Sequence, residues 1–145
     1  MPNIGPTKIH DDAVQARHID ADQIDGTHLA TTPASRPGIE VVIPFSIPDT
    51  AGDYDLVMDY KVEVIGVQGL KRGGAGGAGD TVTVKKGSTA ITNAISLNVV
   101  DNAPVSASTI DDAASGLDKG DTLRVTAAKA TDCEALVMVR CLKRA

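Results

Sequence analysis

Aromatic residues are scarce in this chain of 145 residues, which contains Phe45, Tyr54 and Tyr60 and no tryptophan. Basic residues are also few, with 14 Lys and Arg against 19 Asp and Glu and a net charge of -5, and no basic stripe is present. Proteins that bind nucleic acids or sugars commonly use basic surfaces or exposed aromatic side chains. These shortages argue against a nucleic-acid partner and disfavour a carbohydrate-binding platform.

Histidine is missing from the larger part of the chain, because His10, His18 and His28 all precede residue 30. A cupin-type metal site would need His and Glu ligands inside the β domain. No Gly-x-Ser-x-Gly segment or neighbouring base accompanies the many Ser and Thr residues. We therefore expect no enzyme, no cofactor and no metal site. Copies of His18 and His28 from symmetry-related chains could meet and bind a metal ion. We favour the simpler interpretation that these histidines face solvent or lie at an interface.

Long hydrophobic runs are absent, and the longest, 135–139, is far too short to span a bilayer. Residues 1–4 lack the basic and apolar regions of a secretory signal, so we expect synthesis and assembly in the cytosol, without a membrane partner. Cys133 and Cys141 fall in one predicted strand, too far apart to bridge each other. We expect two free, buried thiols, which fits a reducing compartment.

The start of the chain carries an apolar residue at every fifth position. A step of five turns about 140° on an α-helix and alternates faces on a strand, so neither element buries the set. We interpret residues 1–32 as an extended repeat arm that orders against partner chains, at a trimer or capsid interface. A pentapeptide-repeat β-helix competes, but the positions two before each apolar residue are mostly too polar or bulky for it. The repeat residues are Ile4, Ile9, Val14, Ile19, Ile24 and Leu29.

Residues 33–38 form a Pro- and Gly-containing linker, and residues 39–145 are predicted to be a β-sandwich domain. Short segments with alternating apolar residues and Gly-rich turns indicate an all-β fold, a jelly-roll-like β-sandwich. A weaker pattern over 90–100 fits two short strands or a bent strand. One helical turn fits 109–117, before a turn at 118–121. The predicted strands are 39–45, 55–64, 81–85, 121–127 and 133–142.

The last predicted strand is apolar on both faces. One face carries Cys133, Val137 and Cys141 and suits a core. The other face carries Leu136 and Met138. Because one sheet face can fill the core while the other meets a partner, we predict that Leu136 and Met138 contact a neighbouring subunit or the capsid.

A glycine-rich segment, 74–79, matches the dinucleotide fingerprint G-x-G-x-x-G. That fingerprint must open a helix whose amino end binds the pyrophosphate. Here a predicted strand follows at residue 81. We therefore interpret the segment as a loop between two strands.

The chain resembles the capsid decoration (cement) and head-fibre proteins of tailed bacteriophages. The resemblance implies a homotrimer with a β-sandwich or jelly-roll head, attached to the major capsid protein, often at three-fold or quasi-three-fold positions. It brings no active site. It rests on segments 8–14 and 19–26, similar to the I-x-D-G/A-x-V repeats of such proteins, and on 76–86, 90–97, 109–113 and 119–126 in the β domain.

Two functions are compatible with these observations. The first is a homotrimeric cement protein on the outer surface of the major capsid protein shell, located in the virion after assembly in the host cytoplasm. The alternative is a head or tail fibre module for adhesion to host-surface carbohydrate. The scarcity of aromatic residues disfavours the second.

Overall fold

The computed structural model describes residues 38–144, which form ten β-strands and contain no α-helix. The predicted arm (1–32) with its six repeat residues, and the linker up to residue 37, lie outside the described residues. The strands are β1 (Ile39–Ile47), β2 (Gly52–Val57), β3 (Val62–Gly74), β4 (Thr81–Lys86), β5 (Thr89–Ala90), β6 (Ile95–Ser96), β7 (Pro104–Ser106), β8 (Gly116–Leu117), β9 (Thr122–Ala128) and β10 (Cys133–Lys143).

The strands form two antiparallel sheets. Sheet A has the order β1-β10-β3-β7, with β8 also pairing with β3. Sheet B has the order β2-β9-β4-β5, with β6 also pairing with β4. Strands from the beginning and the end of the domain are thus neighbours in both sheets. The predicted all-β class is confirmed, and the two sheets are consistent with a β-sandwich.

The core lies on the inner faces of the two sheets, which are built from alternate residues of each strand. Val137 and Val139 of β10, Val62 of β3 and Val82 and Val84 of β4 are fully buried. The predicted inner face of the last strand is confirmed, because its alternate residues from Cys133 to Cys141 all belong to the core. Its other face therefore points away from sheet B.

The predicted strand 55–64 is wrong, because these residues belong to β2 and β3, which lie in different sheets. Between the two strands, the Met58 N–H donates to the Asp121 carbonyl at 2.8 Å. The Met58 carbonyl accepts from the Gly120 N–H, also at 2.8 Å. Met58 remains buried while the chain crosses from one sheet to the other. The apolar alternation continues through the crossing, so the pattern contains no sign of it.

The predicted helical turn within 109–117 is also replaced by other structure. The Ala114 N–H donates to the Asp111 carbonyl at 3.0 Å and the Ala113 N–H to Asp111 Oδ1 at 3.0 Å, which makes a turn stabilised by the aspartate side chain. The chain then enters β8. The turn predicted at 118–121 is present and closes with an Asp121 N–H to Asp118 carbonyl bond of 3.0 Å.

Both cysteines are free and fully buried, as the sequence predicts. Burial raises the pKa of the Cys141 thiol to about 11 and also raises the pKa of Cys133. We expect a thiol reagent at pH 8 to react with both cysteines of the denatured protein and with neither in the native protein over the same time. A rapid reaction of the native protein would contradict this burial.

Candidate functional site

The outer face of sheet A carries several apolar residues, which are interspersed with Glu40, Gln68 and Arg140. Met138 and Leu136 occupy consecutive outward positions of β10. The register places Leu136 between Ser46 of β1 and Leu70 of β3. We call the following outward residues the apolar face: Val42, Pro44, Leu70, Leu136, Met138 and Leu142.

The apolar face is accessible within the described part of the chain. Val42 is 52% exposed and Pro44 is also exposed. Leu136 and Met138, at the centre of the sheet, are half-buried by their neighbours. The structure thus brings the two predicted interface residues together on one open surface. Contiguous apolar surface of this kind commonly marks an interaction site.

The outer face of sheet B has the opposite character. Its outward residues are largely hydroxylated or charged, with Val57 as an exposed apolar exception at the end of β2. We call this surface the polar face. It consists of Asp53, Asp55, Thr81, Thr83, Lys85, Thr122, Arg124 and Thr126.

Three charges on the polar face are paired with one another. Arg124 binds Asp55 through two hydrogen bonds, from Nε to Oδ1 at 2.7 Å and from Nη2 to Oδ2 at 2.8 Å. It also lies 3.2 Å from Asp53, which accepts a 2.7 Å bond from the Thr126 hydroxyl. These contacts lower the pKa of Asp55 and raise the pKa of Arg124. These three charges are therefore satisfied within the domain.

Two ion pairs lie near the start of β1 and the end of β10. Arg140 stands between Met138 and Leu142 on the outer face of sheet A. Its Nε donates to Glu40 Oε1 at 2.7 Å, and this contact lowers the pKa of Glu40 and raises the pKa of Arg140. Arg144 Nε donates to Glu63 Oε2 at 3.0 Å. Paired charges therefore interrupt the apolar residues at this end of the face.

Asp80 is a buried charge that the sequence analysis missed. Its Oδ1 accepts hydrogen bonds from the backbone N–H groups of Ala130 (2.6 Å) and Thr131 (3.1 Å). Its Oδ2 accepts the Gly77 N–H at 2.6 Å and the Thr131 hydroxyl. These donors lower the pKa of Asp80 despite its complete burial. Asp80 thereby fastens the glycine-rich loop to the loop between β9 and β10.

Lys71 holds the other side of the same loop. It is 7% exposed, and its Nζ donates to the carbonyls of Gly74 (3.2 Å) and Ala75 (3.3 Å). It also forms a 3.0 Å ion pair with Asp101. The available signal was a lysine at an inward position of the β3 alternation. The loop connects β3 to β4, as predicted. The Gly77 N–H donates to the Asp80 carboxylate, so this N–H is not available to bind the phosphate of a nucleotide.

Within residues 38–144, no group of three or more His, Cys, Asp or Glu side chains is arranged to hold a metal ion. This region also contains no helix that is long and apolar enough to cross a membrane. The three histidines and the six repeat residues precede the described part of the chain.

Comparisons of the chain with protein-family models, with curated proteins and with solved structures find no match.

Proposed function

We propose that this chain is a virion structural protein, a homotrimeric capsid decoration or cement protein without enzymatic activity. It binds the outer surface of the shell formed by the major capsid protein and stabilises that shell. It resides on the capsid surface after assembly in the host cytoplasm. Its partners are copies of itself and the major capsid protein, and it uses no cofactor.

The observation that carries this proposal is the contrast between the two outer faces. One face carries mostly hydroxylated and charged residues, whereas the other leaves Val42, Leu136 and Met138 accessible to a partner. Burying a Leu or Met side chain contributes about 1.5 to 3 kcal/mol. In a homotrimer bound to a shell, the other trimer chains or the capsid protein would cover this surface.

We further propose that the sandwich is of the jelly-roll type and carries an extended arm with a five-residue repeat. The strand order supports the first part. β1 pairs with β10 in one sheet, and β2 pairs with β9 in the other. The first two strands of the domain therefore each pair with one of its last two strands, as in a jelly roll. The arm residues Ile4, Ile9 and Val14, with Ile19, Ile24 and Leu29, would contact the other trimer chains or the capsid.

The stabilising action requires no chemistry. A protein that binds the closed shell but not its separated subunits raises the free energy of shell opening, because binding is linked to assembly. A trimer that spans a boundary between capsid subunits adds contacts that must break before the boundary opens. The affinity of the protein for the shell then determines how much stability it adds.

Cosedimentation tests the proposal with shells assembled from the major capsid protein encoded in the same genome. We expect the full chain to pellet with the shells and to raise their disassembly temperature. A chain lacking residues 1–32 should bind more weakly, because it has lost the arm. A full chain that remains in the supernatant at saturating shell concentrations would contradict the proposed function, and full affinity of the deletion variant would contradict the role of the arm.

A further inference from the structure

A cavity of about 360 Å³ opens beside the apolar face, where β1 ends and β10 begins. Its walls include apolar side chains, of which all but Pro48 are buried or half-buried, together with two exposed charged residues, Arg72 and Glu134. The apolar lining residues are Ile47, Pro48, Ala135 and Leu136. Leu136 also belongs to the apolar face, so the cavity continues the same surface.

The two charged residues at this cavity form no ion pair within the described domain. Arg72 and Glu134 take part in none of the ion pairs formed among residues 38–144. Arg140 on the outer face of the same sheet differs, because it pairs with Glu40. A β-bulge between Glu134 and Ala135 shifts the register, so that Arg72 has no direct cross-strand partner on β10.

A partner for this cavity must supply both signs of charge. A surface of one sign would leave either Arg72 or Glu134 desolvated without a counter-charge, and an unpaired buried charge is strongly unfavourable. A second copy of this chain carries an arginine and a glutamate at the same spacing, with an apolar surface beside them. A neighbouring copy can therefore supply a counter-charge for each of the two residues.

We infer that this cavity is a contact between copies of the chain, in which Arg72 of one copy pairs with Glu134 of the next. The inference rests on the homotrimer of the proposed function and specifies its contact surface. Around a three-fold axis each copy gives its arginine to one neighbour and receives an arginine from the other, so that every charge is paired. Leu136 of each copy then lies beside the pairs and excludes water from them.

Charge reversal tests this pairing in the full-length protein. The variants are R72E, E134R and the double variant R72E/E134R, measured by native mass spectrometry across a dilution series. K85E is the matched control, because it makes the same charge change as R72E on the polar face. We expect each single reversal to raise the protein concentration needed for half-assembly by at least about tenfold. We expect the double variant to assemble nearly as well as the unmodified protein, and K85E to be unchanged.

Any other result would contradict either the proposed charge pairing or the homotrimer. A trimer whose stability is the same in R72E, E134R and K85E would overturn the inference and leave the proposed function standing. A double variant as weak as the single variants would also overturn it, because the charges would not face each other. Single variants that keep the trimer but lose shell binding would make the cavity a shell contact. An unmodified protein that is monomeric at micromolar concentration would overturn the homotrimer itself.

Discussion

Replacing Asp80 with alanine is expected to lower the free energy of unfolding by about 3 to 5 kcal/mol, because several buried donors each lose their acceptor at a cost of about 1 to 3 kcal/mol. The substitution leaves the N–H groups of Gly77, Ala130 and Thr131 without the acceptor that they share. Both loops at this end of the sandwich lose their common anchor. Denaturant unfolding followed by circular dichroism measures the effect.

Asp53 provides a matched control for this experiment. It also accepts a hydrogen bond from a threonine hydroxyl, at 2.7 Å, but its side chain is 46% exposed. Water can replace its contacts, so D53A should lower the free energy of unfolding by less than about 1 kcal/mol. Equal losses in D53A and D80A would contradict the structural role assigned to Asp80.

The Asp80 carboxylate also makes the free energy of unfolding depend on pH in the acid range. Its pKa is lower in the folded than in the unfolded protein, so its stabilisation is complete above the unfolded value of about 4 and is lost as the pH falls through the folded pKa. We expect the stability difference between the unmodified protein and D80N to shrink as the pH falls below about 4. A difference that grows in this range would have the wrong sign.

The double substitution L136D/M138D is expected to abolish trimer formation and shell binding. Both side chains are already half-buried in the domain, so losing their contacts removes about 1.5 to 3 kcal/mol per subunit before the cost of burying the new carboxylates is counted. That loss alone corresponds to a roughly tenfold to hundredfold weakening of binding. Native mass spectrometry reports the oligomer, and cosedimentation reports the shell complex.

The control T81D/T83D places two carboxylates on β4 of the polar face. The two positions are separated by one residue, as Leu136 and Met138 are. It should retain the trimer and shell binding. Because aspartate disfavours strands, both doubles are compared by thermal unfolding, and L136S/M138S serves as the milder variant if L136D/M138D does not fold. A folded L136D/M138D protein that still forms trimers and binds shells would contradict the role of the apolar face.

Strong local patterns were sufficient to predict several parts of the domain. The alternation from Cys133 to Leu142 predicted both the last strand and which of its faces fills the core. The same pattern separated Leu136 and Met138 from the core residues, because successive strand residues point to opposite faces. The placement of both cysteines inside the domain followed from that alternation.

Other features depend on contacts between distant segments, so the local pattern could not predict them. The alternation runs unbroken through Met58, yet the crossing between sheets is fixed there by Asp121 and Gly120, far along the chain. Asp80 binds Ala130 and Thr131 across a similar separation. The cavity with Arg72 and Glu134 forms where three strands meet. Each of these arrangements exists only after the strands have paired.

The two sheets thus suit different tasks in the proposed function. The polar face, with its paired Arg124, Asp53 and Asp55, suits exposure to solvent on the virion surface. The apolar face and its neighbouring cavity suit contact with protein. Asp80 and Lys71 fix the loops at one end, so that the strands that carry these surfaces are held in register.

Electron cryomicroscopy of shells incubated with the full-length protein tests the central claim most directly. The account predicts added density on the outer shell surface in groups of three sandwich domains, with Leu136 and Met138 covered by protein. Shells that show no added density at saturating protein concentration would contradict it.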